Sequence, residues 1–171
     1  MSCGTTTLTG ITACLANDGG LGGIFNRVKI TRWSNIVDWT VASPSGEIDS
    51  FNMESGTVFT EYWFKKDVST FTQEKGVNGG VTQTLTLVFN VITKPIQDAI
   101  EELFQEDVTV LVQMPTGAWF LFGGENGMES KSAVITPGTA GSDIPSITLT
   151  ITGFETSFAL ATTAGAVLAA S

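Results

Sequence analysis

From residue 81 to 92 the chain alternates. Val81, Gln83, Leu85, Leu87, Phe89 and Val91 fall on one side, and Thr82, Thr84, Thr86, Val88 and Asn90 on the other. A period of two is the signature of a strand with one buried and one solvated face. A second β-prone run covers 57 to 74, and KGVNGG at 75–80 joins the two. The pattern predicts a long hairpin with Lys75, Gly76, Val77, Asn78, Gly79 and Gly80 at its tip. An arm of about twelve residues is roughly twice the usual strand length. Its tip therefore outreaches the core and is either solvated or covered by something else.

Elsewhere, IFNRVKIT at 24–31 and 36–42 read as strands, the second closed by a turn at SPSG, 43–46. Residues 51–57 are ambiguous. VTVLVQM at 108–114 and AWFLF at 118–122 form a pair across PTG, and GGENG at 123–127 is a turn built around Asn126-Gly127. Ser146 to Thr152 alternates strictly. One helix is predicted: Thr93-Lys94-Pro95 is a start signal, and Ile96, Ala99, Ile100, Leu103 and Phe104 make an apolar stripe opposite Asp98, Glu101 and Glu102. The expected fold class is mainly β, a β-sandwich or barrel with a long β-hairpin arm and one flanking α-helix. Without sustained βαβ alternation, a parallel nucleotide-binding sheet is not expected. Residues 1–171 read as a single structural domain with a Gly/Thr-rich leader (about 1–23) and an apolar tail (about 158–171). The tail is expected to be a loose terminus, or an arm that orders against a neighbouring subunit.

Composition narrows the chemistry. The 171 residues contain no histidine, which excludes Ser-His-Asp and Cys-His catalysis and His-ligated zinc or haem. Eight Lys+Arg against seventeen Asp+Glu, net −9, opposes a surface that grips phosphates. Cys3 and Cys14 have no second pair, so a four-ligand metal site is not available, and two reduced thiols are expected. The glycine stretches at 19–23 and 76–80 lack the Gly-Lys-Ser/Thr of a phosphate loop. No cofactor, no metal and no enzymatic activity is expected.

The charge is uneven. Residues 95–171 carry nine acids and the single base Lys131, whereas residues 1–94 carry eight acids and seven bases. Asp98, Glu101, Glu102, Glu106 and Asp107 form an acidic cluster on and after the helix; as a metal site it lacks the spacing of a calcium loop. Arg27, Lys29 and Arg32 form a basic strip beside Trp33. Acidic and basic regions on one small chain suit head-to-tail association of identical subunits. A mean hydropathy of +0.23 with only 15% charged residues also favours an assembly that covers apolar surface.

Three stretches resemble the tail tube (major tail) proteins of tailed bacteriophages. They are the Thr-rich hairpin at 57–92 followed by the helix KPIQDAIEELF, the segment TVLVQMPTGAWFLFGGENGMESKS at 109–132, and TPGTAGSDIPSITLTITGFET at 136–156. The resemblance implies hexameric rings that stack into a tube in the virion tail, built from subunits made in the host cytoplasm. It implies self-association and other tail proteins as partners, hairpins paired side by side around a channel, DNA passing without specific binding, and no membrane. Lys75–Gly80 would then be a subunit-interface tip, and Thr82, Thr84 and Thr86 would face the lumen, since the Leu/Phe face suits a core. The acidic cluster would lie between subunits or in the lumen, and the basic strip between subunits. Another virion component (neck, tail-terminator or head decoration protein) and a carbohydrate-binding β-sandwich module using Trp33 or Trp119 are the competing expectations.

Overall fold

A computed structural model of the chain describes residues 24–25, 27–63, 68–90, 92–138 and 144–170. The leader at 1–23, with Cys3 and Cys14, lies outside the described residues. The strands are β1 (Arg27–Arg32), β2 (Ile36–Val41), β3 (Ile48–Met53), β4 (Thr60–Trp63), β5 (Thr70–Lys75), β6 (Val81–Phe89), β7 (Val108–Gln113), β8 (Trp119–Phe122), β9 (Met128–Thr136), β10 (Ser146–Glu155) and β11 (Leu160–Thr162). Two helices, α1 (Lys94–Leu103) and α2 (Ala164–Ala169), complete the described elements with a 3-10 turn at Trp33–Asn35. The protein is mainly β with a flanking helix, as its periodicity predicts.

All eleven strands belong to one sheet that branches at β7. One edge of β7 carries β1, which in turn pairs with β4. The other edge carries β8 along Val110–Gln113 and touches β9 at the single pair Val108↔Met128. From β8 one wing runs to β11, β3 and β2. From β9 the other wing runs to β10, β6 and β5, antiparallel throughout. The sheet folds over, so that Val28, Ile30, Val108, Val110 and Val112 meet Leu85, Leu87, Phe89, Ile147, Leu149 and Ile151 in the larger core. Edge-to-face ring contacts cross this core: Tyr62 to Phe89 at 6.2 Å and Phe71 to Phe122 at 5.2 Å. A second core gathers Leu111, Trp119, Leu121, Ile48, Phe59, Val167 and Ala170.

Helix α1 forms where its start signal and stripe place it. Pro95 occupies the first turn, where a missing N–H costs nothing, and Ile100 and Leu103 enter the larger core. Ser130 Oγ ties its end by donating to the Leu103 carbonyl at 2.9 Å.

Two expectations are corrected, and two strands are added. The run 57–74 is not one arm of a long hairpin: β4 pairs with β1, and only the six residues of β5 pair with β6. Tyr62 packs on the larger core and Phe59 enters the smaller one, so burying both ends of this segment directs it onto β1. The apolar tail is not a loose terminus. Thr163 Oγ1 accepts the Ala166 N–H at 3.2 Å as an N-cap, and Ala166, Val167 and Ala170 are buried. Finally, β3 and β9 are strands that periodicity does not mark. In β9 only Met128 and Ser130 are buried; the rest runs past the core, where nothing imposes alternation.

Leu149 is fully buried at the centre of the larger core, whereas Val77 is 105% exposed at the hairpin tip. Leu149→Ala is expected to lower unfolding free energy by about 2–5 kcal/mol in urea titrations. Val77→Ala should stay within about 0.5 kcal/mol of the parent.

Candidate functional site

The outer face of β5, β6, β10 and β9 is a ladder of threonines. Register places Thr70, Thr86, Thr150 and Ser132 in one row, and Thr72, Thr84 and Thr152 in the next. Val88, Thr148 and Val134 form a third row. These rows exist because each strand alternates a core residue with a threonine: β6 buries Leu85 and Leu87, and β10 buries Ile147, Leu149 and Ile151. Thr82, Thr84 and Thr86 thus lie on the face away from the core, as the alternation predicts. Among the described residues, charged side chains border the ladder at one end: Glu74 beside Thr82, Glu129 beside Thr152, and Lys131 on the same face, paired with Glu129.

Both lateral edges of this four-stranded wing are open among the described residues. β5 pairs only with β6. β9 pairs with β10 along its length but meets β7 only at Met128, which leaves the edge from Glu129 to Thr136 without a neighbour. Ala133, Val134, Ile135 and Thr136 are all exposed.

The acidic cluster sits elsewhere. Because α1 packs on the core side of the wing, Asp98, Glu101 and Glu102 lie on the opposite side of the sheet from the threonines. Much of the cluster is neutralised within the chain. Arg32 donates from Nη2 to Glu102 at 2.9 Å and pairs through Nη1 with Glu106 at 3.4 Å, while Lys94 pairs with Asp98. Glu101 is exposed, and the Asp107 carbonyl accepts the Trp33 backbone N–H at 2.8 Å.

The basic strip is not one patch. Arg27 and Lys29 share one face of β1, whereas Arg32, at an odd offset, points to the other, towards α1. Arg27 lies between two indoles, 5.4 Å from the Trp63 ring centroid and 5.2 Å from that of Trp119. Its Nε donates to Gln113 at 2.7 Å and its Nη1 to Glu61 at 3.1 Å, and Trp63 Nε1 donates to the same carboxylate at 3.0 Å. A planar guanidinium that stacks and forks at once joins β1, β4, β7 and β8. Lys29 is buried with its Nζ 6.0 Å from the Trp119 ring. Burial lowers its pKa, against the attraction of Glu61 and with the help of Arg27. Sequence reasoning missed this stack; its one signal was the i, i+2 spacing of Arg27 and Lys29 in a β-prone run.

A buried carboxylate organises the loop after β8. Glu155 is 3% exposed and accepts the backbone N–H groups of Glu125 and Asn126, each at 3.1 Å. Gln83, also buried, accepts the Gly123 N–H at 3.0 Å. Gly127 closes the loop at φ +77°, and a Cβ there would stand 2.9 Å from Asp107 and 3.1 Å from the Trp33 ring. Trp33 Nε1 donates to the Gly124 carbonyl at 3.0 Å. Between this loop and β2 runs a groove of about 320 Å³ lined by Trp33, Ile36, Val37, Asp38, Trp39, Gly124 and Glu125.

Among the described residues no three His, Cys, Asp or Glu converge as metal ligands, and no helix is long and apolar enough to cross a membrane.

No protein-family model matches the chain, and no curated protein matches it. Among solved structures, a chain described as "Virion of native gene transfer agent (GTA) particle" is similar over 84% of this chain and 87% of that one, at 11% identity and a TM-score of 0.33. A TM-score that low falls short of a shared fold.

Burial raises the Glu155 pKa above its ordinary value of 4.5, although the two backbone N–H bonds pull it down. A carboxyl raised on folding adds stability below its unfolded value, and that contribution is lost as pH rises through the folded value. The stability of the parent relative to Glu155→Gln, measured by urea titration, is therefore expected to fall as pH rises from about 4.5 through the raised value.

Proposed function

We propose that this protein is a structural subunit of a phage tail tube, without catalytic activity. The observation that carries the reading is a four-stranded antiparallel wing, open at both edges among the described residues, whose outer face is mostly threonine with charges confined to one end. An open edge presents unpaired N–H and C=O groups and is a template for another strand. In this wing β9 ascends from Met128 while β5 descends to Lys75, so β5 of one copy beside β9 of the next continues the antiparallel order. That contact is heterologous, and where its rotation closes it makes a ring rather than an open filament. Hexameric closure and stacking follow from the resemblance noted in the sequence.

The threonine face suits the channel. Hydroxyls are hydrated, and Lys131, the lysine on this face among the described residues, is paired with Glu129, so the wall offers DNA phosphates little counter-charge to hold. The net charge of −9 adds a repulsive field. The acids of α1 belong on the outside or between subunits in this arrangement, not in the lumen. Partners are further copies of the chain and other tail proteins, in the virion.

Purified protein is expected to form hollow rings or tubes in negative-stain micrographs. Val134→Lys places a charge on the exposed β9 edge, the device by which natural edge strands refuse a partner. It should leave the far-ultraviolet circular dichroism unchanged and abolish rings. A parent that stays monomeric at high concentration, or a Val134→Lys variant that assembles normally, overturns the proposal. Rings that never stack point instead to a neck or tail-terminator component.

A further inference from the structure

We infer that the groove between β2 and the 123–127 loop is a docking site for the hairpin tip of a second copy, with Lys75 as the recognised cation and Val77 as the apolar anchor. The inference rests on the self-association proposed above and names a contact that reading leaves open.

The groove has the chemistry of a cation site. The indoles of Trp33 and Trp39 supply π faces, and Asp38 and Glu125 supply carboxylates beside them. Trp33 remains 40% exposed although its Nε1 is bonded, so its ring is held in place and accessible. Neither Asp38 nor Glu125 has a cationic partner among the described residues, and Glu125 accepts only the Thr156 hydroxyl through Oε2. Ile36 and Val37 add an apolar wall, and Val37 stands 63% exposed at a register shift where β2 bulges from β3.

The hairpin tip offers the complement. Arg27 is paired with Glu61, Arg32 with Glu102 and Glu106, Lys94 with Asp98 and Lys131 with Glu129, while Lys29 is buried against Trp119. Lys75 is the base among the described residues that is exposed and has no acidic partner. Two residues on, Val77 is fully exposed, so the tip does not sit in the groove of its own chain. The tip is also shaped: Gly76 donates to the Gly80 carbonyl at 2.8 Å and Gly79 to the Gly76 carbonyl at 3.0 Å, with Gly79 at φ +87°. A preformed turn loses little entropy on docking.

The two surfaces also lie at the same end of the wing. Lys75, Val81 and Glu155 share a row, and Glu155 holds the loop that forms one wall of the groove. With β5 of one copy against β9 of the next, the tip of the first arrives at the loop that precedes Met128 in the second. One lysine between two carboxylates over an indole, beside a buried valine, gives the contact both charge and apolar area.

Disulfide trapping tests the contact. In a Cys3→Ser/Cys14→Ser background, Val77→Cys and Val37→Cys proteins are mixed and oxidised, with Val68→Cys replacing Val77→Cys as the control. A cross-linked heterodimer is expected from the first mixture and not from the control. Lys75→Glu is expected to weaken self-association about tenfold by analytical ultracentrifugation, and adding Glu125→Lys to restore it. Absence of the specific cross-link, or a Lys75→Glu variant that associates like its parent, overturns the inference. Rings without the cross-link overturn this contact and leave the tube reading standing. The cross-link without rings supports the contact and removes the tube.

Discussion

Strand β7 is apolar on both faces, and a strand of that kind has to be covered twice. Val108, Val110 and Val112 face one way, and Leu111 faces the other with Thr109 beside it. Thr109 is tolerated there because its hydroxyl donates to the Gly123 carbonyl at 2.9 Å. Two cores therefore grow from one strand. The larger needs a sheet folded back on itself plus α1; the smaller needs β3, β8, β11 and the C-terminal helix. The branching of the sheet at β7 is the geometric answer to that requirement, since one wing leaves from β8 and the other from β9.

The branching leaves the β9-β10-β6-β5 wing as a lamina with the core on one side and water on the other. An alternating strand suits such a lamina, and residues 82–86 and 148–152 supply threonine on the wet side. Threonine is β-branched, so it favours the strand while remaining polar, which is how a face can be rigid, hydrated and uncharged together. Apart from Glu74 and the Glu129–Lys131 pair at one end, the described charges lie in other places. Arg27 is locked between two indoles, Arg32 is held against α1, and the acids of the helix lie across the sheet from the ladder.

Glu155, Gln83 and Trp33 converge on the 123–127 loop from three different segments of the chain. Their hydrogen bonds to the loop all go to its backbone groups, so they define its shape. Glu125 lines the groove with its own N–H anchored on Glu155 and its carboxylate accepting the Thr156 hydroxyl. A loop held this way is a rigid wall, and rigid walls are where a partner's side chains find a fixed complement.

The alternation of β6 and β10, the Pro95 start and stripe of α1, and the glycine of the 123–127 turn are local facts, and the sequence by itself determined them. The mainly β class and the outward aspect of Thr82, Thr84 and Thr86 follow from period two alone. Pairing is a different matter. Whether 57–74 continued one hairpin or split between β1 and β6 depended on where Phe59 and Tyr62 found apolar surface, and that surface is made by strands distant in the chain. The tail at 158–171 looked like a loose arm because Ala and Gly carry little periodic signal; only the hollow beside β3 and Trp119 shows what they fill. Arg27, Lys29 and Arg32 form one strip in the sequence, but the pleat of β1 sends Arg32 to the face opposite Arg27 and Lys29. Burial partners across long sequence separations carry no local signature, so the tertiary structure decided which charges are neutralised, which edges stay open and which groove faces the solvent.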